Sequence, residues 1–187
     1  MKVIGFAASP RKAGNTVWIV NQILEGARKR GAETQSWRSA ELDIKPCQGC
    51  LYCAQNQIPC VINDGMQDIY DAMEDADALV LGTPVYMGQM TAQAKAFTDR
   101  LFAWISPRFS PHFKEEHTGR KLLLSFSQGN PDAGKFQAYF DYTRSMFEML
   151  GFDVRAVHVV AGTREKQAPE RDDLPAILEA IGQSLIS

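Results

Sequence analysis

The chain has 187 residues, 45% of them apolar and 22% charged, with 20 basic against 22 acidic side chains and a formal net charge of −2. That balance suits one ordinary globular domain, 1–187, whose core needs no staples, and it excludes a basic surface built for nucleic acid or an anionic membrane. No apolar run approaches the ~18 residues of a transmembrane helix, so no membrane partner is expected.

The chain opens Met1-Lys2-Val3-Ile4-Gly5-Phe6, directly into an apolar run over residues 3–8 that reads as a buried strand. No leader pattern precedes it, and the expected location is cytoplasmic. Residues 16–29 follow, with Val17, Val20, Ile23, Leu24 and Ala27 at helical spacing and Gly31 placed to stop the helix. The basic cluster Arg28-Lys29-Arg30 matches the negative end of that helix dipole. A second strand is predicted over 34–38, a helix over 65–74, a third strand over 78–81 ending at Gly82-Thr83-Pro84, and a helix over 91–105. An apolar strand over 121–126 runs into Ser127-Gln128-Gly129-Asn130-Pro131. A helix over 133–150 stops at Gly151, residues 152–160 form a fifth strand, and 174–185 form a last helix. Two long stretches carry neither period: about 40–64, which holds every cysteine, and 106–120. Loops of that length inside a compact domain tend to carry function or motion.

Strand–helix alternation repeated five times predicts an α/β fold, a five-stranded parallel sheet with helices on both faces. Nearly continuous apolar strands fit burial on both sides. In such sheets ligands bind beyond the carboxyl ends of the strands, at the switch point, which directs attention to the loops after strands one, three and four.

The first of these loops reads Ala8-Ser9-Pro10-Arg11-Lys12-Ala13-Gly14-Asn15-Thr16. Small hydroxyl and amide side chains here can ring an anion at a helix N-terminus, with backbone N–H groups and the helix dipole completing the site. The plainer reading is a turn with Asn15 or Thr16 as N-cap. Neither G-x-G-x-x-G nor G-K-[ST] occurs, so the loop is neither a dinucleotide fingerprint nor a Walker loop. The loop after strand three reads Thr83-Pro84-Val85-Tyr86-Met87-Gly88-Gln89-Met90. Pro and Gly shape a rigid turn there, while Tyr86 and Met87 offer flat or polarizable surface.

All four cysteines fall in Cys47-x2-Cys50-x2-Cys53-x6-Cys60. In a reducing compartment such a group points to metal or redox chemistry rather than to structural disulfides. A C-x2-C-x2-C run can wrap one face of a cubane cluster, and a fourth thiolate six residues on can reach the remaining iron. A structural zinc with four thiolates, or unligated thiols, are the other readings.

Ser9-Pro10-Arg11-Lys12 with Gly14-Asn15-Thr16, then Thr83-Pro84-Val85-Tyr86-Met87-Gly88, then Thr91-Ala92 with Lys95-Ala96-Phe97-Thr98-Asp99-Arg100, resemble the NADPH-dependent FMN reductase family. Within it the sequence most resembles the iron–sulfur flavoproteins. The resemblance covers most of the first 100 residues. It implies a flavodoxin-like, FMN-binding domain with a cysteine-rich loop at about 44–64. Ser9, Arg11, Gly14, Asn15 and Thr16 would then hold the phosphate, and Pro84, Val85, Tyr86, Met87 and Gly88 would line the isoalloxazine. Gln128 and Gly129 would be flavin neighbours, with a plain polar turn as their other reading. Cys47, Cys50, Cys53 and Cys60 would ligate a 4Fe–4S cluster. The segment Lys95–Arg100 is similar to the family's dimer helix and implies a homodimer or a dimer of dimers; otherwise it is an amphipathic helix with an internal ion pair. After the fourth cysteine the family often has an acidic pair before Met, whereas this chain has Asn63-Asp64-Gly65-Met66, in which Asp64 can still cap the next helix.

No side chain is expected to act as acid or base. His112, His117 and His158 make no ligand spacing with a carboxylate pair, and Ser9 has no recognisable base partner. Trp18, Trp37 and Trp104 read as packing residues. The expectation is an FMN-dependent oxidoreductase or electron-transfer flavoprotein, its cluster fed by a ferredoxin-like donor and passing electrons to FMN. The alternatives are an NAD(P)H-dependent FMN or quinone reductase without a cluster, and a flavodoxin-like electron carrier.

Overall fold

Along the central strands, successive side chains go to opposite sides of one sheet. Ile4, Phe6, Leu79, Leu81, Leu122, Leu124 and Phe126 join one core, whereas Val3, Ala7, Val80 and Leu123 join the other. The computed structural model describes residues 1–56, 59–103 and 119–186. It holds five parallel strands: β1 (Lys2–Ala7), β2 (Glu33–Arg38), β3 (Ala78–Pro84), β4 (Lys121–Ser127) and β5 (Asp153–Val160), in the order β2-β1-β3-β4-β5. This is the flavodoxin-like order, with its switch point between β1 and β3, and the fold is the five-stranded parallel sheet expected.

The helices are α1 (Asn15–Lys29), α2 (Tyr52–Asn56), α3 (Met66–Glu74), α4 (Ala92–Arg100), α5 (Gln137–Met149) and α6 (Leu174–Ser184). Residues of α3, α4 and α5 fill one core and residues of α1 and α6 the other, so both faces of the sheet are covered. Helices α1 and α6 cross at backbone contact. A Cβ on Gly26 would lie 2.1 Å from the Glu179 carbonyl oxygen, and one on Gly182 would lie 1.8 Å from that of Ile23.

Several boundaries differ from the sequence reading. Strand β3 continues through Pro84 because it pairs with β4 as far as Ser127. Helix α5 starts at Gln137 rather than 133, since Asp132 first makes a turn, its carboxylate accepting from the Gly134 N–H at 2.9 Å. Helix α4 ends at Arg100 and passes into a 3-10 turn, Leu101–Ala103. The stretch read as irregular at 40–64 contains α2, which carries Cys53. Trp104, His112 and His117 lie outside the described residues. Strand β2 forms one edge of the sheet, with Glu33, Gln35 and Ser36 exposed.

Candidate functional site

The carboxyl ends of β1, β3, β4 and β5 open on one cavity of about 700 Å³, a volume ordinary for a cofactor pocket. Ser9, Arg11, Gly14, Asn15 and Thr16 line it from the loop after β1. Pro84, Val85, Tyr86 and Met87 line it from the loop after β3, and Ser127 and Gly129 from the end of β4. Three further residues, Thr163, Arg164 and Gln167, come from the loop after β5 and were not anticipated.

At the α1 end the backbone is left ready for an anion. Gly14 is the N-cap, at φ 141°, in a region that favours glycine, and no side chain caps the helix. Its first turn carries no acidic residue, so the unpaired N–H groups and the positive dipole end are uncompensated. The Thr16 and Ser127 hydroxyls, both buried, lie 2.8 Å apart and join α1 to β4. The Ser9 hydroxyl accepts from the Arg11 N–H at 3.2 Å. Asn15 lines the cavity, but its Oδ1 accepts from the Ala168 N–H at 2.7 Å and so braces the loop after β5. That loop is also tied to the one after β4 by Thr163 N–H donating to the Gln128 carbonyl at 3.0 Å. Among the described residues, Arg11 and Arg164 are the cationic lining residues, and no carboxylate lines the cavity.

The β3 end is a rigid two-residue turn. Tyr86 and Gln89 exchange both backbone hydrogen bonds, at 2.8 and 3.0 Å. Met87 at φ 49° and Gly88 at φ 80° are both left-handed, as a type I′ turn requires. Met87 is fully exposed at the tip. Gly88 does not line the cavity; it shapes the turn and faces Phe136, to whose ring a Cβ would come within 3.5 Å. The turn is anchored by Thr91, which caps α4 by accepting from the Ala94 N–H at 3.1 Å and donates to the Ala8 carbonyl at 2.7 Å. Gln128 also stands outside the lining. It is 2% exposed, and its amide donates to the carbonyls of Asn130 (3.2 Å) and Asp132 (2.7 Å), so it shapes the loop that presents Gly129. Gly129 in turn leaves room for Arg164, whose Cβ would be 3.4 Å from a Cβ built there.

An uncapped helix terminus with hydroxyls and Arg11 at one end, Arg164 over Gly129, and a rigid turn carrying Tyr86 make a cavity whose chemistry suits a phosphate-bearing aromatic cofactor such as FMN.

The four cysteines line a second, narrow pocket of about 30 Å³, walled on one side by Arg100, Phe102 and Ala103. Cys47 and Cys50 are exposed, Cys60 is half-buried and Cys53 is buried. Gly49 and Leu51, at φ 62° and 56°, turn the backbone between the first three thiols. Burial pushes the Cys53 thiol up; a hydrogen bond with the Ala54 backbone opposes this, and Cys60, Cys50 and Cys47 add to the rise. Among the described residues, no three His, Cys, Asp or Glu side chains are gathered as metal ligands. The donor set, four thiols on one pocket, is chemically that of an iron–sulfur cluster or a zinc ion.

The base of the cysteine loop rests on a buried ion pair. Arg100 and Asp64 have side chains 0% and 1% exposed and meet at 2.7 Å, with a second contact at 3.2 Å. Burial alone would raise the Asp64 carboxyl, but Arg100 and the N–H groups of Lys45 and Met66 hold it below its usual range. Asp64 accepts from the Met66 N–H at 3.0 Å, but the N-cap of α3 is Gly65, so the aspartate bonds the helix start from one residue before the cap position expected for it. Of the Lys95–Arg100 stretch, Lys95 and Asp99 pair on the surface, whereas Arg100 points inward.

Residues 1–166 match the family model of NADPH-dependent FMN reductases. The "Iron-sulfur flavoprotein" of Methanosarcina thermophila is 42% identical over 100 residues, 54% of this chain and 52% of that protein; the chain matches about half the length of such relatives. Among solved structures, an NAD(P)H:quinone oxidoreductase from Methanothermobacter marburgensis superposes with a TM-score of 0.74 at 14% identity, covering 100% of this chain and 98% of that one. A flavodoxin from the domain Archaea gives 0.63 at 14% identity, covering 99% and 96%. At such identities the two superpositions establish the flavodoxin-like fold alone.

Proposed function

The chain belongs to the NADPH-dependent FMN reductase family, and on that premise we propose that it is a flavin-dependent oxidoreductase, a single FMN-binding domain over 1–187. The observation that carries this reading is the 700 Å³ cavity at the switch point, cationic and uncapped at one end and closed by the Tyr86–Gln89 turn at the other.

When bound, FMN supplies hydride or single-electron transfer. The chain's own groups bind and orient it. The first-turn N–H groups of α1, the hydroxyls of Ser9 and Thr16, and the guanidinium groups of Arg11 and Arg164 would receive the phosphate. Pro84, Val85 and Tyr86 would cover the ring, and the stiff turn at Met87-Gly88 holds that surface in one shape, which lowers the ordering cost of binding. Among the described residues, the cavity lining contributes hydroxyl, amide and guanidinium groups to the polar contacts of the cofactor.

Cys47, Cys50, Cys53 and Cys60 would hold a 4Fe–4S cluster, with Cys47 and Cys50 turning inward from their exposed positions. The donor set and the iron–sulfur flavoprotein relatives support this. Electrons would then enter from a ferredoxin-like donor, and the assembly would be a homodimer or a dimer of dimers. A second reading, for which the large cavity and the family suffice, is an NAD(P)H-dependent FMN or quinone reductase without a cluster.

Iron and acid-labile sulfide, counted per FMN on protein purified without oxygen, decide between the two. About four of each per flavin establishes the cluster. FMN with neither leaves the nicotinamide-dependent reductase. Absence of stoichiometric FMN binding overturns both.

A further inference from the structure

Among the described residues Arg100 is the largest fully buried side chain, and it is charged. Every hydrogen bond recorded for its guanidinium goes to one of the two feet of the cysteine loop. Nη1 donates to the Lys45 carbonyl at 2.9 Å, two residues before Cys47. Nη2 donates to the Ile62 carbonyl at 3.3 Å, two residues after Cys60. Both nitrogens bind Asp64, whose carboxylate also accepts from the Lys45 N–H at 2.8 Å. Arginine and aspartate together therefore close the loop at its base, between positions 19 apart in the sequence. The Gln67 amide reinforces the second foot by donating to the carbonyls of Cys60 (3.1 Å) and Ile62 (2.7 Å).

Arg100 stands at the end of α4, whose other end is Thr91, bonded to Ala8 and Thr83 beside the large cavity. Nine residues of helix at ~1.5 Å each make a strut of about 13 Å between the two sites. The strut is seated on the sheet by Phe97, which stacks on Phe6 with centroids 4.4 Å apart, and by the Tyr70 hydroxyl, which donates to the Arg100 carbonyl.

We propose that Arg100 is the positioning residue of the cysteine loop: through its fork to Lys45, Ile62 and Asp64 it fixes where the loop begins and ends relative to α4, and so holds Cys53 and Cys60 in their pocket before any metal binds. A lysine cannot do this, because one ammonium group lacks the planar pair of nitrogens that spans both feet.

The test uses the metal-free full chain and the variants Arg100→Lys and Asp64→Asn. Alkylation rates of the four cysteines are followed by mass spectrometry, alongside FMN affinity by fluorescence titration and Co²⁺ binding by its thiolate absorption. In the parent protein the buried Cys53 reacts at least about tenfold more slowly than the exposed Cys47 and Cys50, and the half-buried Cys60 reacts at a rate between them. Both variants raise the Cys53 and Cys60 rates by about tenfold and weaken Co²⁺ by a similar factor, with Cys47, Cys50 and FMN affinity unchanged within about twofold. Three results overturn the proposal: thiols that react alike in the parent, variants that leave Cys53, Cys60 and Co²⁺ unaltered, or variants that lose FMN affinity in step with thiol protection, which marks general loosening. None of these readouts depends on a cluster, so failure of the cluster reading leaves the test intact.

Discussion

The side-chain oxygens of Thr16 and Ser127 lie 2.8 Å apart although 111 residues separate them, and both are buried where α1 begins and β4 ends. The bond fixes the first turn of α1 against the sheet, directly beneath the region assigned to the phosphate. Thr16→Val keeps the shape, removes the hydroxyl and strands the Ser127 partner. FMN affinity in fluorescence titration falls about five- to tenfold, the equivalent of one lost hydrogen bond of about 1 kcal/mol.

Arg164 reaches the cavity from the loop after β5, over Gly129. Its contact with the phosphate is tested by comparing FMN with riboflavin, which lacks that group. Arg164→Ala weakens FMN by about tenfold at low salt and leaves riboflavin within about twofold, and the FMN loss shrinks as salt screens the charge. Equal loss for both ligands would place the guanidinium on the ring or the ribityl chain instead.

Asp64 has its carboxyl pKa lowered in the folded state, so the unfolded chain takes up its proton first as pH falls. The ion pair's contribution is fully present above the ordinary unfolded carboxylate value of about 3.9 and is lost as pH drops from there through the lower folded value. Asp64→Asn leaves Arg100 buried and unpaired and costs about 3–5 kcal/mol at neutral pH. Urea unfolding from pH 7 to pH 2.5 should show the difference between parent and variant shrinking below about pH 4. A difference that stays constant across that range would show that the carboxylate charge is not what stabilises the loop base.

Gly182 meets the Ile23 backbone so closely that a methyl group cannot be accommodated by rotating a side chain. Gly182→Ala must push α6 away from α1, at a cost of about 2–3 kcal/mol despite alanine's better helix propensity. Thermal unfolding reads this as a lower Tm. An unchanged or raised Tm would mean that the two helices do not cross at backbone contact.

The parts of the molecule written as local pattern were legible without a structure. The apolar runs of β1, β3 and β4 and the spacing of Val17, Val20, Ile23 and Leu24 follow directly from burial on two faces of a sheet. So did most of the cavity, because the loops after β1 and β3 lie where the strand order reverses. Arg164 was not legible, since nothing local distinguishes an exposed arginine in a polar loop. It reaches the site because β5 runs parallel beside β4 and because Asn15 holds Ala168. Arg100 was hidden in another way. It falls beside Lys95 and Asp99 on what reads as a surface helix, and its burial depends on an aspartate 36 residues earlier. Gly88 and Gln128 are flavin neighbours only by family resemblance; in the structure Gly88 supplies a left-handed turn position and the Gln128 amide bonds its own loop.

Strand β2 closes one side of the sheet with Glu33, Gln35 and Ser36 turned to solvent. An open strand edge is a template on which another copy of a chain can add a strand, and apolar edges seed aggregates in that way. Here the template is polar, so hydration competes with any incoming strand, and the apolar strands β1 and β3 are kept one place in from the rim. Replacing Gln35 and Ser36 by valine would remove that guard while leaving both ligand pockets untouched, and the protein would lose solubility before it lost any binding.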